Sequence, residues 1–326
     1  MKKKIGIIGA GAWGTAIAIL ACKNGHSVSL WHYNSKKALV MQETRNCPYL
    51  LNAKINDNII ITDKFNAILD SDILIYAAPA QEFNYLTIKI AEYNPIFNNP
   101  IIIASKGIDN KINKLLDSIC KDNLPNSSPV ILSGPGFAED IVRELPTALT
   151  IAAHDLKLAN MVGSIFANEY FRPYFSTDLI GVQVGGALKN VIAIASGITI
   201  GNKLGDGAVA SIITRGLSEM TKFGIALGAK QETFNGLSGV GDLVLTATNK
   251  KSRNTKLGIL IGSSESITDY SLLSEGVHTT NAVMHISKYL DIGMPITEAV
   301  HQIINNKYTA KEAISSLLKR PLRDEL

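Results

Sequence analysis

The chain has 326 residues, of which 46% are hydrophobic and 18% charged, and its formal net charge is +4. This composition is that of an ordinary globular protein and excludes a disordered or low-complexity chain. The basic residues are scattered and form no stripe with aromatic residues, which argues against a nucleic acid partner. The length suits two domains, and we expect them at 1–178 and 179–326.

Cysteine usage and the N-terminal segment bear on the compartment. The three cysteines include no CxxC pair, and the six histidines show no metal-ligand spacing, so we expect neither a disulfide framework nor a metal site. The first 22 residues imitate a lipoprotein signal, with three lysines before an apolar run that ends at Cys22. Three glycines and Trp13 interrupt that run. We therefore expect no signal peptide and a cytoplasmic protein.

The first half of the chain alternates apolar, β-branched runs with helical patterns. The run Ile5 to Ile8 is followed by a helical pattern from Ala12 to Asn24, with Gly25 behind it. Apolar strands that alternate with helices predict a parallel sheet covered on both faces. The further predicted strands are Val28 to Trp31, Ile59 to Thr62, Ile73 to Ala77, Ile101 to Ala104, Val130 to Leu132, Thr147 to Ala152 and Tyr170 to Phe175.

After about Thr177 the strand pattern stops. Helices are predicted over Val182 to Ile200, over Ala208 to Leu227 and, after a break at 236–242, in shorter segments up to Leu318. The stretch 179–201 is long enough to span a membrane, but Lys189 lies at its centre, where a lysine costs about 3 kcal/mol. We expect a buried helix there, no integral membrane segment, and an α/β Rossmann-type domain followed by an all-α domain.

Gly9, Gly11 and Gly14 match G-x-G-x-x-G between the first predicted strand and the first helix. In a dinucleotide-binding unit the first glycine permits the tight turn, the second admits the pyrophosphate and the third allows helix–strand packing. The helix N-terminus also attracts phosphate. The alternative is a purely structural turn. The context indicates a nicotinamide dinucleotide, NADP or NAD.

The end of the second predicted strand bears on the choice of cofactor. An NAD-specific site usually has Asp or Glu there for the ribose hydroxyls. This chain has Trp-His-Tyr-Asn at 31–34, followed by Lys36 and Lys37. Nothing in that stretch repels a 2′-phosphate. We hypothesise that NADP(H) is accepted at least as well as NAD(H).

Lys189 is the most informative single residue, because it is the one formal charge between Asp178 and Lys203. Burial lowers the pKa of a lysine, and a lysine near neutrality can exchange a proton with an alcohol or carbonyl oxygen. That exchange is half of a dehydrogenase reaction, and hydride transfer by a nicotinamide is the other half. The alternative is a lysine that reaches the surface at a helix edge.

Three further positions are candidates. Ser252 and Arg253 begin a predicted helix, which suits an anion, although a cap beside an exposed arginine explains them as well. Asp242 follows a glycine-rich turn and could bind substrate hydroxyls or a lysine, or form an ordinary Asx turn. Lys106 follows a predicted strand, at the sheet edge where ligands bind in open α/β folds.

In these residues and the segments around them, the chain resembles the bacterial NAD(P)-dependent glycerol-3-phosphate dehydrogenases nearly end to end. The resemblance implies reversible reduction of dihydroxyacetone phosphate to sn-glycerol 3-phosphate, which supplies phospholipid synthesis. The matching segments are GAGAWGTA at 9–16, SKG at 105–107, SGPGFA at 133–138, GVQVGGALKNVIAIASG at 181–197, GLSGVGDLVLT at 236–246, SRN at 252–254, SEG at 274–276 and MPIT at 294–297.

The resemblance also implies roles for individual residues, with Lys189 as the general acid/base. Two positions depart from the family pattern, because Gly136 replaces a frequent Ser or Thr and Tyr33 a frequent His or Arg. The implied substrate-binding residues are Lys106, Gly134, Gly136, Lys189, Asp242, Ser252, Arg253 and Asn254. The implied cofactor-binding residues are Gly9, Gly11, Ala12, Trp13, Gly14, Tyr33, Lys106, Ala138, Arg253, Leu273 and Glu275.

Two other functions stay open on the residues alone. A related hydroxy-acid or sugar-acid dehydrogenase would hold a carboxylate at Arg253 instead of a phosphate. A non-catalytic dinucleotide sensor would keep the glycine loop but would not need a lysine on an apolar helix. The oligomeric state is equally open, with a homodimer as one alternative.

Overall fold

The computed structural model describes residues 2–263 and 275–322, apart from the side chains at 51 and 52. Leu273, which the resemblance assigns to the cofactor site, lies outside the described residues. The strands in chain order are β1 (Lys4–Ile8), β2 (Ser27–Trp31), β3 (Asn46–Cys47), β4 (Leu50–Lys54), β5 (Ile59–Thr62), β6 (Ile73–Tyr76), β7 (Ile101–Ile103), β8 (Pro129–Ser133), β9 (Thr147–Ala152) and β10 (Phe171–Ser176).

The helices alternate with these strands up to β10 and then follow one another. Several begin at a side-chain cap, as α7 does, where the Asp178 carboxylate accepts a hydrogen bond from the backbone N–H of Gly181 at 2.8 Å. In chain order they are α1 (Ala12–Lys23), α2 (Ser35–Thr44), α3 (Phe83–Tyr93), α4 (Leu116–Asn123), α5 (Ala138–Val142), α6 (Leu156–Phe166), α7 (Leu179–Gly201), α8 (Asp206–Ala226), α9 (Asp242–Thr248), α10 (Arg253–Gly262), α11 (Glu275–Tyr289), α12 (Pro295–Ile304) and α13 (Ala310–Leu318).

In the described part of the chain, eight strands form one sheet in the order β10-β9-β8-β7-β6-β1-β2-β5. One face carries the apolar side of α1, α2 and α6, and the other that of α3 and α4. This confirms the predicted sheet with two covered faces. The strand order reverses between β1 and β6, which is the place where open α/β sheets bind ligands.

Two features of the sheet differ from the prediction. Strand β9 runs antiparallel to β8, whereas all other neighbouring pairs of the eight described strands are parallel. The β8–β9 connection holds only the short helix α5, which at about 1.5 Å per residue spans about half the length of β8, and the chain enters β9 from the edge at which it left β8. The pair β3 and β4 forms a separate antiparallel ribbon that the apolar pattern did not predict.

The helix α7 is the centre of the second half of the fold. It packs against α8, α9, α10, α11 and α12. Among the described residues it is the one helix long and apolar enough to cross a membrane, with a mean hydropathy of 1.5, but 89% of that apolar window is buried inside the protein. We therefore assign it as a core helix, as the position of Lys189 predicted.

The same helix touches the domain that holds the sheet. The side-chain amide of Gln183 donates to the Asp117 carboxylate at 2.8 Å, and its carbonyl oxygen accepts from the Asp117 backbone N–H at 3.1 Å. This pair joins α7 to α4 in a buried setting. One helix therefore faces both the helical core and the carboxyl edge of the sheet.

Candidate active site

The three glycines of the first loop occupy three different environments. Gly9 has a φ of +109°, and a Cβ there would lie 2.7 Å from the backbone nitrogen of Ala78. A Cβ on Gly14 would collide with the carbonyl oxygen of Gly9, so α1 can pack closely on β1 only because this position is glycine. At Gly11 an added Cβ would meet no described atom within 4 Å. The loop is therefore closed on two sides and open at Gly11.

The open side of this loop fits a dinucleotide. Gly11 is the N-cap of α1, and within the described residues no side chain accepts from the first helical amides, which begin at Ala12. The Trp13 indole nitrogen is buried without a hydrogen-bond partner in the same described part. Gly136 and the start of α5 at Ala138 lie beside α1, since a Cβ on Gly136 would be 3.9 Å from the Trp13 ring. Free amides at a helix N-terminus suit a pyrophosphate.

The end of β2 presents aromatic and basic side chains to solvent. Tyr33 is 76% exposed and stacks on His32, with ring centroids 5.1 Å apart and an interplanar angle of 26°. The Lys37 ammonium donates to the Tyr49 hydroxyl at 2.7 Å. Strand β2 lies three positions from β7 in the sheet, or about 14 Å away. Tyr33 is therefore far from Lys106, at a distance that an extended dinucleotide spans.

A buried carboxylate joins the two lysines singled out from the sequence. Asp242 is 1% exposed, and its Oδ2 accepts from Lys106 Nζ at 2.6 Å while its Oδ1 accepts from Lys189 Nζ. Lys189 is itself buried, with 7% of its surface exposed. Its ammonium does not reach the surface at a helix edge, so that alternative is excluded. Asp242 binds two lysines and does not merely form an Asx turn.

Burial sets the protonation of Lys189. It lowers the pKa of Lys189 to about 7, because the ammonium has lost its hydration. The Asp242 carboxylate opposes this effect and the nearby Lys106 charge adds to it. At neutral pH the Lys189 amine can therefore both give and take a proton.

Two members of the cluster stand at the ends of elements, and the third lies within a helix. Lys106 follows β7 at the carboxyl edge of the sheet, and its Nζ also donates to the Gly134 carbonyl oxygen at 2.9 Å. Gly134 follows β8 with a φ of +138°, a conformation that favours glycine. Asp242 is the first residue of α9 and follows the π-helical turn Leu237–Gly241. Lys189 lies in the middle of α7.

Two polar residues of this site were missed by the reasoning from sequence. The Thr246 hydroxyl accepts from Lys189 Nζ at 2.8 Å and lies 3.3 Å from Asp242 Oδ1. The Asn190 amide donates to the Lys106 carbonyl oxygen at 3.4 Å. Thr246 stands four residues after Asp242 on a helix, so the i, i+4 spacing could have identified it.

The start of α10 lies next to this cluster. The Ser252 hydroxyl caps the helix by accepting from the Thr255 N–H at 3.3 Å, as its sequence position predicted. Asn254 is buried and donates to the Asn190 side-chain oxygen at 3.0 Å. Arg253 is exposed at the first helical position. An exposed guanidinium at a helix N-terminus is an arrangement that suits an anion.

Glu275 connects the helical half to the sheet. Its Oε1 accepts from the Ala80 backbone N–H at 3.0 Å, and its Oε2 is buried without a partner in the described residues. Burial raises the pKa of this carboxyl. A Cβ on Gly107 would lie 2.9 Å from that Oε2, which places Glu275 beside the loop that carries Lys106.

Comparison with known proteins identifies the family. The family model described as NAD-dependent glycerol-3-phosphate dehydrogenase N-terminus matches residues 4–159. The family model described as NAD-dependent glycerol-3-phosphate dehydrogenase C-terminus matches residues 178–315. The chain belongs to this family. A relative in Bradyrhizobium diazoefficiens, named glycerol-3-phosphate dehydrogenase, NAD(P)+, is 40% identical over 325 residues, 98% of each chain. A relative of the same name in Methylobacillus flagellatus is 40% identical over 329 residues, 99% of each chain.

A solved structure agrees with these relatives. The crystal structure of glycerol-3-phosphate dehydrogenase from Coxiella burnetii is 32% identical, with a TM-score of 0.92 over 98% of this chain and 99% of that one. The likeness confirms the predicted fold class, a Rossmann-type domain followed by a helical domain. The family also decides against the two alternative functions, the hydroxy-acid dehydrogenase and the dinucleotide sensor.

The loop geometry predicts different outcomes for alanine at Gly11 and at Gly14. Gly11→Ala should change the free energy of unfolding by about 1 kcal/mol or less, because the new methyl meets no described atom. It should nevertheless weaken NADPH binding at least about tenfold, because the methyl occupies the approach to the helix amides. Gly14→Ala should lose both stability and affinity. Urea unfolding and fluorescence titration measure the two quantities, and unchanged affinity in Gly11→Ala would contradict the assignment.

Proposed function

We propose that this chain catalyses the reversible reduction of dihydroxyacetone phosphate to sn-glycerol 3-phosphate with NAD(P)H. The observation that carries the proposal is the buried Lys189, with a pKa of about 7, paired with Asp242 at the carboxyl edge of a dinucleotide-binding sheet. Membership of the NAD-dependent glycerol-3-phosphate dehydrogenase family supplies the substrate. The general role of this family is to provide glycerol 3-phosphate for lipid synthesis.

Lys189 acts as the general acid/base. The bound cofactor supplies or accepts the hydride. In the reducing direction the Lys189 ammonium gives its proton to the carbonyl oxygen of the substrate, and in the oxidising direction the neutral amine takes the proton of the hydroxyl. Asp242 and Thr246 hold the amine in place through their hydrogen bonds to Nζ. Lys106 adds a second positive charge beside the oxygen that becomes negative.

The substrate phosphate binds at the start of α10. The exposed guanidinium of Arg253, the helix N-terminus and the amide of Asn254 together suit a dianion. The Ser252 cap and the Gly134 and Gly136 loop complete the substrate side. Position 136 offers only backbone groups, because the glycine carries no hydroxyl.

The cofactor occupies the groove from the first glycine loop to the seam with the helical half. We assign it Gly9, Gly11, Ala12, Trp13, Gly14, Tyr33, Lys106, Ala138, Arg253, Leu273 and Glu275. Of these, the Trp13 nitrogen and the Glu275 Oε2 support the assignment most directly, because each is a buried polar atom with no partner among the residues that the structure describes, and a ligand could satisfy it. We place the domain boundary at 178, between the end of β10 and the start of α7.

We also propose a cytoplasmic location. Its support is the state of the three cysteines, which are all free in the structure, as in proteins of reducing compartments. A homodimer stays a prediction.

The substrate class is tested by an assay of NADPH oxidation. Dihydroxyacetone phosphate should give turnover, whereas a panel of 2-keto acids at equal concentration should give at least about a hundredfold less, because a carboxylate lacks the geometry and charge of the phosphate ester. Unphosphorylated dihydroxyacetone is the matched control for the phosphate. Activity with the 2-keto acids alone would refute the proposal.

The pKa of Lys189 predicts a pH dependence. Reduction needs the ammonium, so kcat/KM for dihydroxyacetone phosphate should fall about tenfold per pH unit above about pH 7. The substrate phosphate is already doubly ionised there. Lys189→Met should lose about 10²- to 10⁴-fold in rate and show no such limb, while binding NADPH normally. Lys157→Met, at an exposed lysine on α6, is the control. A wild-type rate flat from pH 7 to 9 would contradict the role of Lys189.

The surface at the end of β2 predicts the cofactor preference. The kcat/KM for NADPH should equal or exceed that for NADH, because Lys37 and its neighbour Lys36 favour a 2′-phosphate and no acid stands between positions 31 and 37. Lys37→Glu should lower kcat/KM for NADPH about tenfold and leave that for NADH within about twofold. A strong wild-type preference for NADH would overturn the hypothesis.

A further inference from the structure

The side of α7 that carries Lys189 also carries a glycine that the reaction does not use directly. Gly185 stands four residues before Lys189, and residues at this spacing share one face of a helix. Across from them, Ser238 faces Gly185 and Asp242 faces Lys189. Gly185 to Lys189 is a step of four residues on α7, and Ser238 to Asp242 is the same step on the facing segment. The π-helical turn and the start of α9 therefore lie side by side with α7.

The contact at Gly185 is between backbones. A Cβ at this position would collide with the carbonyl oxygen of Ser238 and lie 3.0 Å from the carbonyl carbon. A backbone carbonyl cannot rotate away as the end of a side chain does. The two segments would therefore have to separate by on the order of 1 Å in a close-packed interior.

The π-helical turn is also tightly packed on the side that faces away from α7. A Cβ on Gly239 would collide with the carbonyl oxygen of Phe234, and Gly239 itself has a non-helical conformation with φ of −97° and ψ of −106°. The carbonyl oxygen of Gly236 accepts from the N–H groups of Gly239 at 3.3 Å and Gly241 at 3.2 Å. The turn is therefore held between α7 and the Phe234 segment, and Asp242 follows it directly.

We infer that Gly185 is a positioning residue for the proton-transfer site: by letting the Ser238 carbonyl lie against α7, it sets Asp242 between Lys189 and Lys106. The inference rests on the proposed roles of Lys189 and Asp242. Gly185 itself touches no reacting atom. A larger residue at position 185 removes no functional side chain, but it moves the Asp242 carboxylate away from Lys189 and Lys106.

The experiment is Gly185→Ala, with Gly163→Ala as the matched control. Gly163 is also buried in a helix, and a Cβ there would collide with the Phe175 ring on β10, which lies three positions from β7 in the sheet. Alanine favours helix over glycine at both positions, so a weakened helix is not the cause of any loss. Both variants should lose thermal stability.

The kinetics separate the two variants. Gly185→Ala should lower kcat at least about tenfold, because misplacement by about 1 Å is costly in catalysis, with little change in KM, since the α10 residues are untouched. The basic limb of the reduction profile should move about one pH unit lower, because Lys189 keeps its burial and the Lys106 charge but loses part of the Asp242 charge. Gly163→Ala should keep kcat and KM within about twofold and should leave the pH at which the reduction rate begins to fall unchanged.

Each outcome decides the inference. The inference would be overturned by a Gly185→Ala enzyme that loses stability but keeps the wild-type kcat and the wild-type pH dependence of reduction. NADPH binding checks that the variant is folded, and if it is not, Gly239→Ala crowds the same turn from the other side and should give the same shift. Failure of both to fold would also overturn the inference, because the turn would then serve stability alone. An inactive wild-type enzyme would instead refute the proposed function.

Discussion

The structure depends on one carboxylate shared by two ammonium groups. Placing the half-buried Lys106 beside the buried Lys189 is unfavourable, because both ammonium groups lose hydration and repel each other. Asp242 offsets both effects by giving one oxygen to Lys189 and the other to Lys106. The compensation is incomplete at Lys189, whose pKa remains about 7. That incompleteness is chemically useful, because a fully compensated lysine would stay charged and could not take back a proton at neutral pH.

This interaction requires both halves of the chain. Lys106 is held at the carboxyl edge of the sheet by the Gly134 carbonyl, while Lys189 and Asp242 come from α7 and α9. Glu275 closes the same seam by accepting from Ala80 behind β6. Neither half contains all three residues, so the packing of α7 on the sheet is part of the proposed catalytic arrangement and not only of the fold.

The sequence predicted what is local and left open what is tertiary. The strands, the glycine loop and the buried helix follow from short periodic patterns, and a lone charge identified Lys189. The antiparallel β9 depends on how far a five-residue helix carries the chain, which the apolar pattern does not encode. The Asp242 pairing joins residues 53 and 136 positions apart, so the residues alone could not separate it from an Asx turn, and the structure decided between the two.

The two ends of the proposed cofactor groove differ in how they tolerate change. At the end of β2, Tyr33 is 76% exposed and Lys37 donates a hydrogen bond only to the Tyr49 hydroxyl among the described side chains, so substitutions there meet solvent. At the other end Lys189 and Asp242 are buried, and backbone contacts at Gly185 and Gly239 hold them in place with no room for a methyl group. Surface charge can therefore change the preference between NAD(H) and NADP(H) without disturbing proton transfer. Proton transfer, in contrast, can be lost through a residue that contacts neither substrate nor cofactor, because the position of a shared carboxylate is fixed by packing.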